Sequence, residues 1–320
     1  MRPTVLALTD RRDAHLPFVQ RHLDDPIVVA DPRTLLNGGE LTYRPGSAGT
    51  VVIVDGQVLT DVAGVWFRKP LNVSPADLPV DQEVAPYSAS AMREQYSQLL
   101  TEFPGAQWVS DYFAILRASN KLYQLSVADR IGLRTPPTIF TSEPKRAAEF
   151  IGAHRRVVSK PIGIVHPTVN GEKKVLFTTL LDEDRLPDLS NLHLAPSIFQ
   201  VAPDVVRDLR VTVVGEKVFP ADVTTSRSDG LSQVYDSRIG HYEGGMTITE
   251  AHDFPADLAG KCVRLLKELG LGFGAIDLLV DSAGEYWFLE NNPNGQWAYV
   301  EQATGQPIGK AIADLLAGRP

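Results

Sequence analysis

Apolar residues recur along the chain with two periods, which predict a mixture of strands and helices. Short apolar runs bounded by Gly, Pro, Asn or Asp indicate strands. An apolar residue at every third or fourth position indicates a helix. The predicted strands are residues 5–8, 27–30, 41–44, 51–54, 58–60, 64–69, 138–140, 157–160, 198–201, 209–214, 217–224, 275–280 and 285–290. The predicted helices are residues 16–23, 83–102, 120–131, 144–152, 255–269 and 307–316.

The last two predicted strands form a hairpin that carries candidate metal ligands. The turn cluster Asp-Ser-Ala-Gly at 281–284 separates them. If the loop has an even number of residues, Asp277 and Glu290 lie on the same face of the hairpin, and Asn292 joins them if the strand continues that far. If the loop consists of residues 283–284 alone, the two acids lie directly opposite each other. Because facing like charges destabilise a sheet, we expect a cation there, and Mg²⁺ prefers such oxygen ligands. The alternative is a solvent-facing surface with two unrelated acids.

Composition narrows the class of protein. The chain has 320 residues, which suffices for two or three packed units, and 43% are hydrophobic, as in an ordinary globular protein. A net charge of -8 disfavours nucleic-acid binding and a polybasic membrane patch. The single cysteine, Cys262, lies in a helical pattern and is expected to be a core thiol. With no intrachain disulfide and no apolar run of the roughly 20 residues needed to span a bilayer, we expect a cytoplasmic protein.

Several cationic side chains are candidates for contacts with an anion. Lys160 ends a predicted strand, and Lys121 opens a predicted helix for which Ser119 is a plausible N-cap, a position slightly unfavourable for a lysine. Such lysines are more often solvated. Arg210 lies on a strand and Arg238 in a Gly-rich loop, residues 226–247, that we expect to be mobile.

Arginine offers a planar fork for phosphate oxygens. The alternative for Arg210 is an ion pair with Asp208 or Asp222, and for Arg238 a solvated loop position. Arg68 and Lys69 are the last residues of the predicted strand 64–69 and are candidates for docking an acidic peptide, although a plain surface pair is the simpler interpretation.

The order of these motifs resembles the ATP-grasp superfamily, closely from about residue 105 onward and more loosely before it. The motifs are NK at 120–121, SKP at 159–161, FQ at 199–200, DLRV at 208–211, Arg238, Asp277 and ENNP at 290–293. GVWFRKP at 64–70, the stretch from 120 to 144 and ENNPNGQW at 290–297 are similar to microviridin-type graspetide ligases. Two departures are Gln200, where an acidic residue is usual, and Asn291, where an aliphatic residue is common.

The resemblance implies an α+β fold in which two ATP-grasp lobes hold ATP behind an α/β N-terminal domain. The expected domains are residues 1–115, 116–195 and 196–320. It also implies roles for individual residues. Nucleotide binding would fall to Lys121, Lys160, Gln200, Val201 and Asp208, and Mg²⁺ binding to Asp277, Glu290 and Asn292. The catalytic candidates would be Arg210 and Arg238 on the phosphates and Asp222 beside the nucleophile, unless Asp222 pairs with one of these arginines.

The implied activity is an ATP- and Mg²⁺-dependent ligase acting on a ribosomal precursor peptide with a leader and a core. Asp or Glu side chains would be activated as acyl phosphates and joined to Ser or Thr hydroxyls or Lys amines. We expect no nucleic-acid or membrane partner, and a homo-oligomer is possible. The alternatives are a ligase of free amino acids or other small carboxylic acids, and a nucleotide-binding regulatory protein without turnover.

Overall fold

The computed structural model describes residues 4–47, 49–70, 73–163, 168–169, 172–173, 176, 178–181, 188–225 and 246–319. Arg238 and most of the Gly-rich loop lie outside these residues. Within the described part of the chain, every helix falls short of the length and apolarity that a membrane crossing requires.

The N-terminal part contains two small sheets. A parallel sheet has the strand order β2-β1-β6-β7, and an antiparallel sheet has the order β3-β4-β5. A turn at Asp55 and Gly56 joins β4 to β5, with both residues at positive φ. The strands are β1 Thr4–Leu8, β2 Val28–Ala30, β3 Leu41–Arg44, β4 Val51–Val54, β5 Gln57–Leu59, β6 Val62–Phe67 and β7 Gln107–Trp108. The helices are α1 Leu16–Gln20, α2 Pro32–Leu36 and α3 Ala85–Ser97, with 3-10 turns at Pro75–Asp77 and Gln98–Leu100.

Two further helices, α4 Tyr112–Ala118 and α5 Lys121–Arg130, lead into a central antiparallel sheet. Its strand order is β12-β9-β13-β8, and helix α6 packs against it through Ala147. The strands are β8 Thr138–Thr141, β9 Val157–Pro161, β12 Thr179–Leu181 and β13 Ser197–Val201, and α6 spans Pro144–Ala153. A separate two-stranded ribbon consists of β10 Thr168–Val169 and β11 Glu172–Lys173.

The C-terminal part is a five-stranded antiparallel sheet with the order β16-β15-β14-β17-β18. Helices α4, α5 and α7 cover one face, and α8 and α9 join the N-terminal sheet against the other. The strands are β14 Val205–Val214, β15 Lys217–Thr225, β16 Met246–Glu250, β17 Phe273–Asp281 and β18 Tyr286–Asn292. The helices are α7 Ala256–Leu269, α8 Ala298–Thr304 and α9 Ile308–Leu316.

The mixed α+β prediction is confirmed, and the domain limits at 115 and 195 remain predictions. Cys262 lies buried on α7, and burial raises the pKa of its thiol to about 12, so it is the expected core thiol. The elements that the pattern missed include α2, α4, α8 and β16. Helix α4 is a single short apolar run, and β16 overlaps the end of the stretch predicted to be a loop.

Candidate nucleotide and metal site

The loop between β17 and β18 has an odd number of residues, unlike the even-numbered loop that the same-face argument assumed. The N–H of Asp281 donates to the carbonyl of Glu285 (3.1 Å), and the N–H of Gly284 donates to the carbonyl of Asp281 (2.9 Å). The loop therefore consists of residues 282–284. Gly284 has a φ of +81°, the left-handed conformation that a three-residue hairpin loop needs at this position. The two-residue loop at 283–284, which was one condition for placing the acids opposite each other, is therefore not formed.

A β-bulge nevertheless sets Asp277 directly opposite Glu290. Near the turn, Leu278 pairs with Phe288, which would leave Asp277 facing Leu289. The register shifts at this point by one residue, so Asp277 pairs with Glu290. Because a bulge adds one residue to one strand, it offsets the odd loop length. The predicted same-face arrangement of Asp277 and Glu290 is confirmed, but it results from a bulge that the hairpin pattern did not predict.

Asn292 completes this group of oxygen-bearing side chains. Its Nδ2 donates to Oδ2 of Asp277 (3.0 Å) and to Oε1 of Glu290 (3.2 Å). A half-turn of the amide would present Oδ1 at the same position. Two carboxylates and one amide oxygen fit Mg²⁺, which takes few protein ligands and completes its shell with water and phosphate. Among the described residues, no group of three or more His, Cys, Asp or Glu side chains offers an alternative metal site.

Cationic side chains flank both carboxylates. Nη1 of Arg210 donates to Oδ1 of Asp277 (2.7 Å), and Nζ of Lys121 lies 2.9 Å from Oε2 of Glu290. Burial raises the pKa of Asp277, and Arg210 only partly offsets this effect. Burial alone would also raise the pKa of Glu290, but Lys121, Lys160 and Asn292 together outweigh it and hold that pKa below its usual value.

Lys160 lies on the opposite wall, on the central sheet. Its Nζ donates to Oε1 of the buried Gln200 (2.7 Å), whose Nε2 donates to Oγ1 of Thr138 (2.9 Å). Lys121, Lys160, Gln200 and Glu290 line one small cavity between the two sheets. The structure thus brings four of the predicted site residues together.

Asn120, and not Ser119, caps helix α5. Its Oδ1 accepts a hydrogen bond from the N–H of Tyr123 (3.0 Å), so Lys121 is the first helical residue. The NK pair therefore has a physical basis, because the asparagine fixes the start of the helix and the lysine projects from it toward Glu290.

The loop after β18 holds Arg210 in place. Nη2 of Arg210 donates to the carbonyl of Gln296 (3.1 Å). A Cβ on Gly295 would lie 2.6 Å from that Nη2 and 2.5 Å from Cβ of Ala275. Only glycine therefore allows the backbone to approach Arg210 so closely. This requirement explains the glycine in the NPNGQW motif.

Arg68 secures the same loop from the N-terminal part. Its side chain is 2% exposed, so the predicted surface position was wrong. Nη1 donates to the carbonyl of Asn294 (2.6 Å), and Nη2 donates to Oε1 of Gln296 (3.0 Å). Nε lies 3.6 Å from a carboxylate oxygen of Asp13. Lys69, in contrast, is exposed.

Asp208 and Asp222 lie on different faces of the sheet. Asp208 shares the face of Arg210, and burial, aided by the charge of Asp277, raises the pKa of Asp208 to about 7. Asp222 pairs with Leu209, whose side chain packs against α7 on the other face. Arg207 forms an ion pair with Asp222 there. The alternative of an ion pair is thus correct for Asp222, but the expected partner Arg210 was wrong.

Val201 is the one described nucleotide candidate that lies apart from the small cavity and the sheet face. Its N–H donates to the carbonyl of Pro137 (2.9 Å), at the end of β13 where the chain leaves the central sheet. It borders a separate cavity of about 400 Å³, which is also lined by Arg155 and Asp204. Its predicted contact with adenine remains a prediction.

Comparison with solved structures identifies the architecture. A Chryseobacterium gregarium RiPP-associated ATP-grasp ligase, in complex with ADP and a leader and core peptide, matches with a TM-score of 0.84. The two chains are 25% identical, over 99% of this chain and 97% of that one. This chain has the ATP-grasp fold. The resemblance predicted from the sequence motifs is confirmed.

Two other structures share the fold. Macrocyclase MdnC of Microcystis aeruginosa MRC, bound with precursor peptide MdnA, is 24% identical with a TM-score of 0.82, over 98% of each chain. The ATP-grasp ligase PsnB, complexed with a minimal precursor, Mg and ADP, is 21% identical with a TM-score of 0.78, over 99% of this chain and 98% of that one.

A curated relative provides a different comparison. Beta-citrylglutamate synthase B of Danio rerio is 27% identical over 220 residues, which are 66% of this chain and 51% of that protein. The chain thus spans about half the length of the curated relative that it matches. No family model matches the chain.

Proposed function

We propose that this chain is an ATP-dependent ligase that modifies a ribosomal precursor peptide. It activates Asp or Glu side chains as acyl phosphates and joins them to Ser or Thr hydroxyls or to Lys amines. The observation that carries the proposal is the group of acidic and basic side chains around Asp277 and Glu290, in a chain that matches a peptide-bound ATP-grasp ligase over almost its whole length.

In the first step, a substrate carboxylate oxygen attacks the γ-phosphorus of ATP, and ADP leaves. Positioning and charge neutralisation provide most of the catalysis in such a transfer. Arg210 offsets charge on the transferred group, and Lys121 and Lys160 bind the nucleotide. Asp277, Glu290 and Asn292 would hold Mg²⁺, which neutralises phosphate charge. Arg238 is assigned with Arg210 on the resemblance alone.

In the second step, a hydroxyl or amine attacks the acyl carbon, and inorganic phosphate leaves with the oxygen that came from the carboxylate. The nucleophile gives up one proton to phosphate or solvent. Each new bond therefore costs one ATP and removes the elements of one water from the peptide. Asp222 is a weak candidate for the base, because it lies on the face away from Arg210 and is engaged by Arg207.

The test is mass spectrometry of a candidate precursor peptide, rich in Thr or Ser and in Asp or Glu, after incubation with the protein, ATP and Mg²⁺. We expect mass losses in whole multiples of one water and ADP release that depends on the peptide. Fragmentation should be suppressed inside the cross-linked segment. A short reading frame for such a peptide beside the gene would provide the substrate.

A second candidate is a ligase of small carboxylic acids, which the match to beta-citrylglutamate synthase B favours. The same assay separates the two functions. If every candidate peptide keeps its mass while free amino acids or dicarboxylic acids drive ADP release, the small-molecule function is correct and the peptide function is refuted.

A further inference from the structure

Gln124 on helix α5 is 2% exposed, and its side-chain amide bonds only to backbone groups. Nε2 donates to the carbonyl of Asn291 (2.7 Å) and to the carbonyl of Ala118 (2.6 Å). Oε1 accepts from the N–H of Asn291 (2.8 Å). One side chain therefore satisfies both backbone groups of a single residue on β18.

The position of β18 explains why these groups need a partner. It is an edge strand of the described sheet, and the N–H and C=O of one residue in an antiparallel strand point to the same side. For Asn291 that side faces away from β17, where both groups would otherwise be buried and unpaired. The amide of Gln124 supplies one acceptor and one donor, as an additional strand would.

The side chain of Asn291 does not replace this contact. It lies on the face away from Glu290 and Asn292, and its Oδ1 and Nδ2 have no hydrogen-bond partner. It packs so closely over Gly274 that a Cβ there would lie 2.3 Å from Oδ1. The strand is thus held at Asn291 by α5 and by close packing.

Asn291 lies between two of the metal-binding candidates, Glu290 and Asn292. Lys121, one helical turn before Gln124, contacts Oε2 of Glu290 at 2.9 Å. Helix α5 therefore holds β18 twice, once at the backbone and once at a carboxylate. We propose that Gln124 is a positioning residue that fixes Glu290 and Asn292 relative to Lys121 and so sets the affinity for Mg²⁺-bound nucleotide. The choice of ligand rests on the proposed function.

Gln124 would make the same hydrogen bonds if it only stabilised the fold. The test therefore compares a variant of Gln124 with a variant of the same helix that affects stability alone. Gln124→Met removes all three bonds and keeps the length of the side chain. Val127→Ala truncates a fully buried residue of α5 in the core beneath the sheet and leaves the contact with β18 intact. Calorimetry measures the Kd for ADP with saturating Mg²⁺ and with chelator, and thermal melting measures stability.

We expect Gln124→Met to raise the Kd for Mg²⁺–ADP by at least about tenfold, and to affect ADP without Mg²⁺ less. The Kd of Val127→Ala for Mg²⁺–ADP should stay within about twofold of the wild-type value, even if its melting temperature falls as much as that of Gln124→Met. Equal weakening by the two variants, or an unchanged Kd in Gln124→Met, would overturn the proposal.

Hydrogen exchange provides a readout that does not depend on the ligand. The Asn291 amide should exchange faster in Gln124→Met than in the wild type, and at the wild-type rate in Val127→Ala. Protection of this amide in Gln124→Met refutes the contact. If Gln124→Met does not fold, Gln124→Leu, which also removes all three hydrogen bonds, takes its place with the same expectations. If the wild-type protein binds no Mg²⁺–ADP, the proposed function and the ligand assignment are refuted. The exchange rate of the Asn291 amide tests only the contact between Gln124 and Asn291.

Discussion

Replacement of Arg68 by methionine is the most informative test of how the site is assembled. The change keeps an unbranched apolar side chain and removes the guanidinium. Two hydrogen bonds to the 294–296 loop disappear, at 2.6 Å and 3.0 Å, together with the 3.6 Å ion pair to Asp13. The loop then loses both hydrogen bonds from Arg68, and Gln296, whose carbonyl accepts from Arg210, loses the hydrogen bond that holds its side chain.

The expected loss of stability follows from these contacts. A hydrogen bond from a charged donor contributes about 1.5–3 kcal/mol, and removal of one partner of a buried ion pair costs about 3–5 kcal/mol. These values overlap because one side chain makes all the contacts, so they are not added. Asp13 keeps hydrogen bonds from Thr9 (2.9 Å) and His15 (2.6 Å), which reduce the cost of leaving its carboxylate without Arg68. We therefore expect a loss of roughly 3–4 kcal/mol in the free energy of unfolding.

Denaturant unfolding measures this loss, and single-turnover ATP hydrolysis or ligation at a temperature where both proteins are folded measures the functional effect. Arg130→Met is the matched control, because Arg130 is 59% exposed and pairs at the surface with Glu268. A surface pair is worth about 0–1 kcal/mol. If Arg68→Met loses no more stability than Arg130→Met and keeps full activity, the inference that Arg68 supports the loop is wrong.

Four further predictions concern the site itself. Glu290→Ala should abolish ligation while the melting temperature shows a folded protein, because the Mg²⁺-bound nucleotide loses a ligand; wild-type turnover would remove Glu290 from the site. Lys160→Ala should weaken ATP binding by at least about tenfold, or roughly 1.4 kcal/mol, and an unchanged calorimetric Kd would contradict this. Gly295→Ala should lower turnover by roughly 100-fold, since its Cβ would lie 2.6 Å from Nη2 of Arg210, whereas near-normal turnover would show that the loop can move aside. Asp208 has a pKa raised to about 7 from 3.8, so the native state binds more protons than the unfolded state, and stability should fall as pH rises from 3.8 to about 7. Asp208→Asn should flatten that slope in denaturant melts, and an equally steep slope would assign it to another group.

The shared face of Asp277 and Glu290 on the hairpin was predictable from sequence, but the geometry of the turn was not. Alternation placed Asp277 opposite Glu290 on the assumption of an even loop. The real loop has three residues, and the bulge that offsets it leaves no signature in an apolar run such as Tyr286–Asn292. The odd loop length and the bulge cancel each other, so the same-face conclusion is correct although the assumed loop length is not.

The position of Asp222, in contrast, was within reach of sequence reasoning. The predicted strands 209–214 and 217–224 leave a two-residue turn at 215–216, and the structure has this turn, with Val214 paired to Lys217. Counting back along that hairpin pairs Asp222 with Leu209, which lies on the face away from Arg210. The period of two therefore already argued against an ion pair between Asp222 and Arg210.

Arg68 and Gln124 could not have been placed this way, because their partners are distant in sequence. Arg68 bonds to residues more than 220 positions later, and Gln124 bonds to a backbone 167 positions later. An arginine after an apolar strand and a glutamine on a helix face carry no local sign of such contacts. Helical spacing does place Gln124 on the same side of the helix as Lys121.

These contacts give the segment from Glu290 to Gln296 its place in the mechanism. Helix α5 holds its first part through Lys121 and Gln124, and Arg68 of the N-terminal part holds its last part. The segment in turn presents two metal-ligand candidates and the carbonyl that orients Arg210. Since three separate parts of the chain must pack correctly before this arrangement exists, the site should form only in the fully folded protein. Variants that loosen either end should then lose nucleotide affinity before they lose secondary structure, and calorimetry followed by circular dichroism on Arg68→Met would show that order.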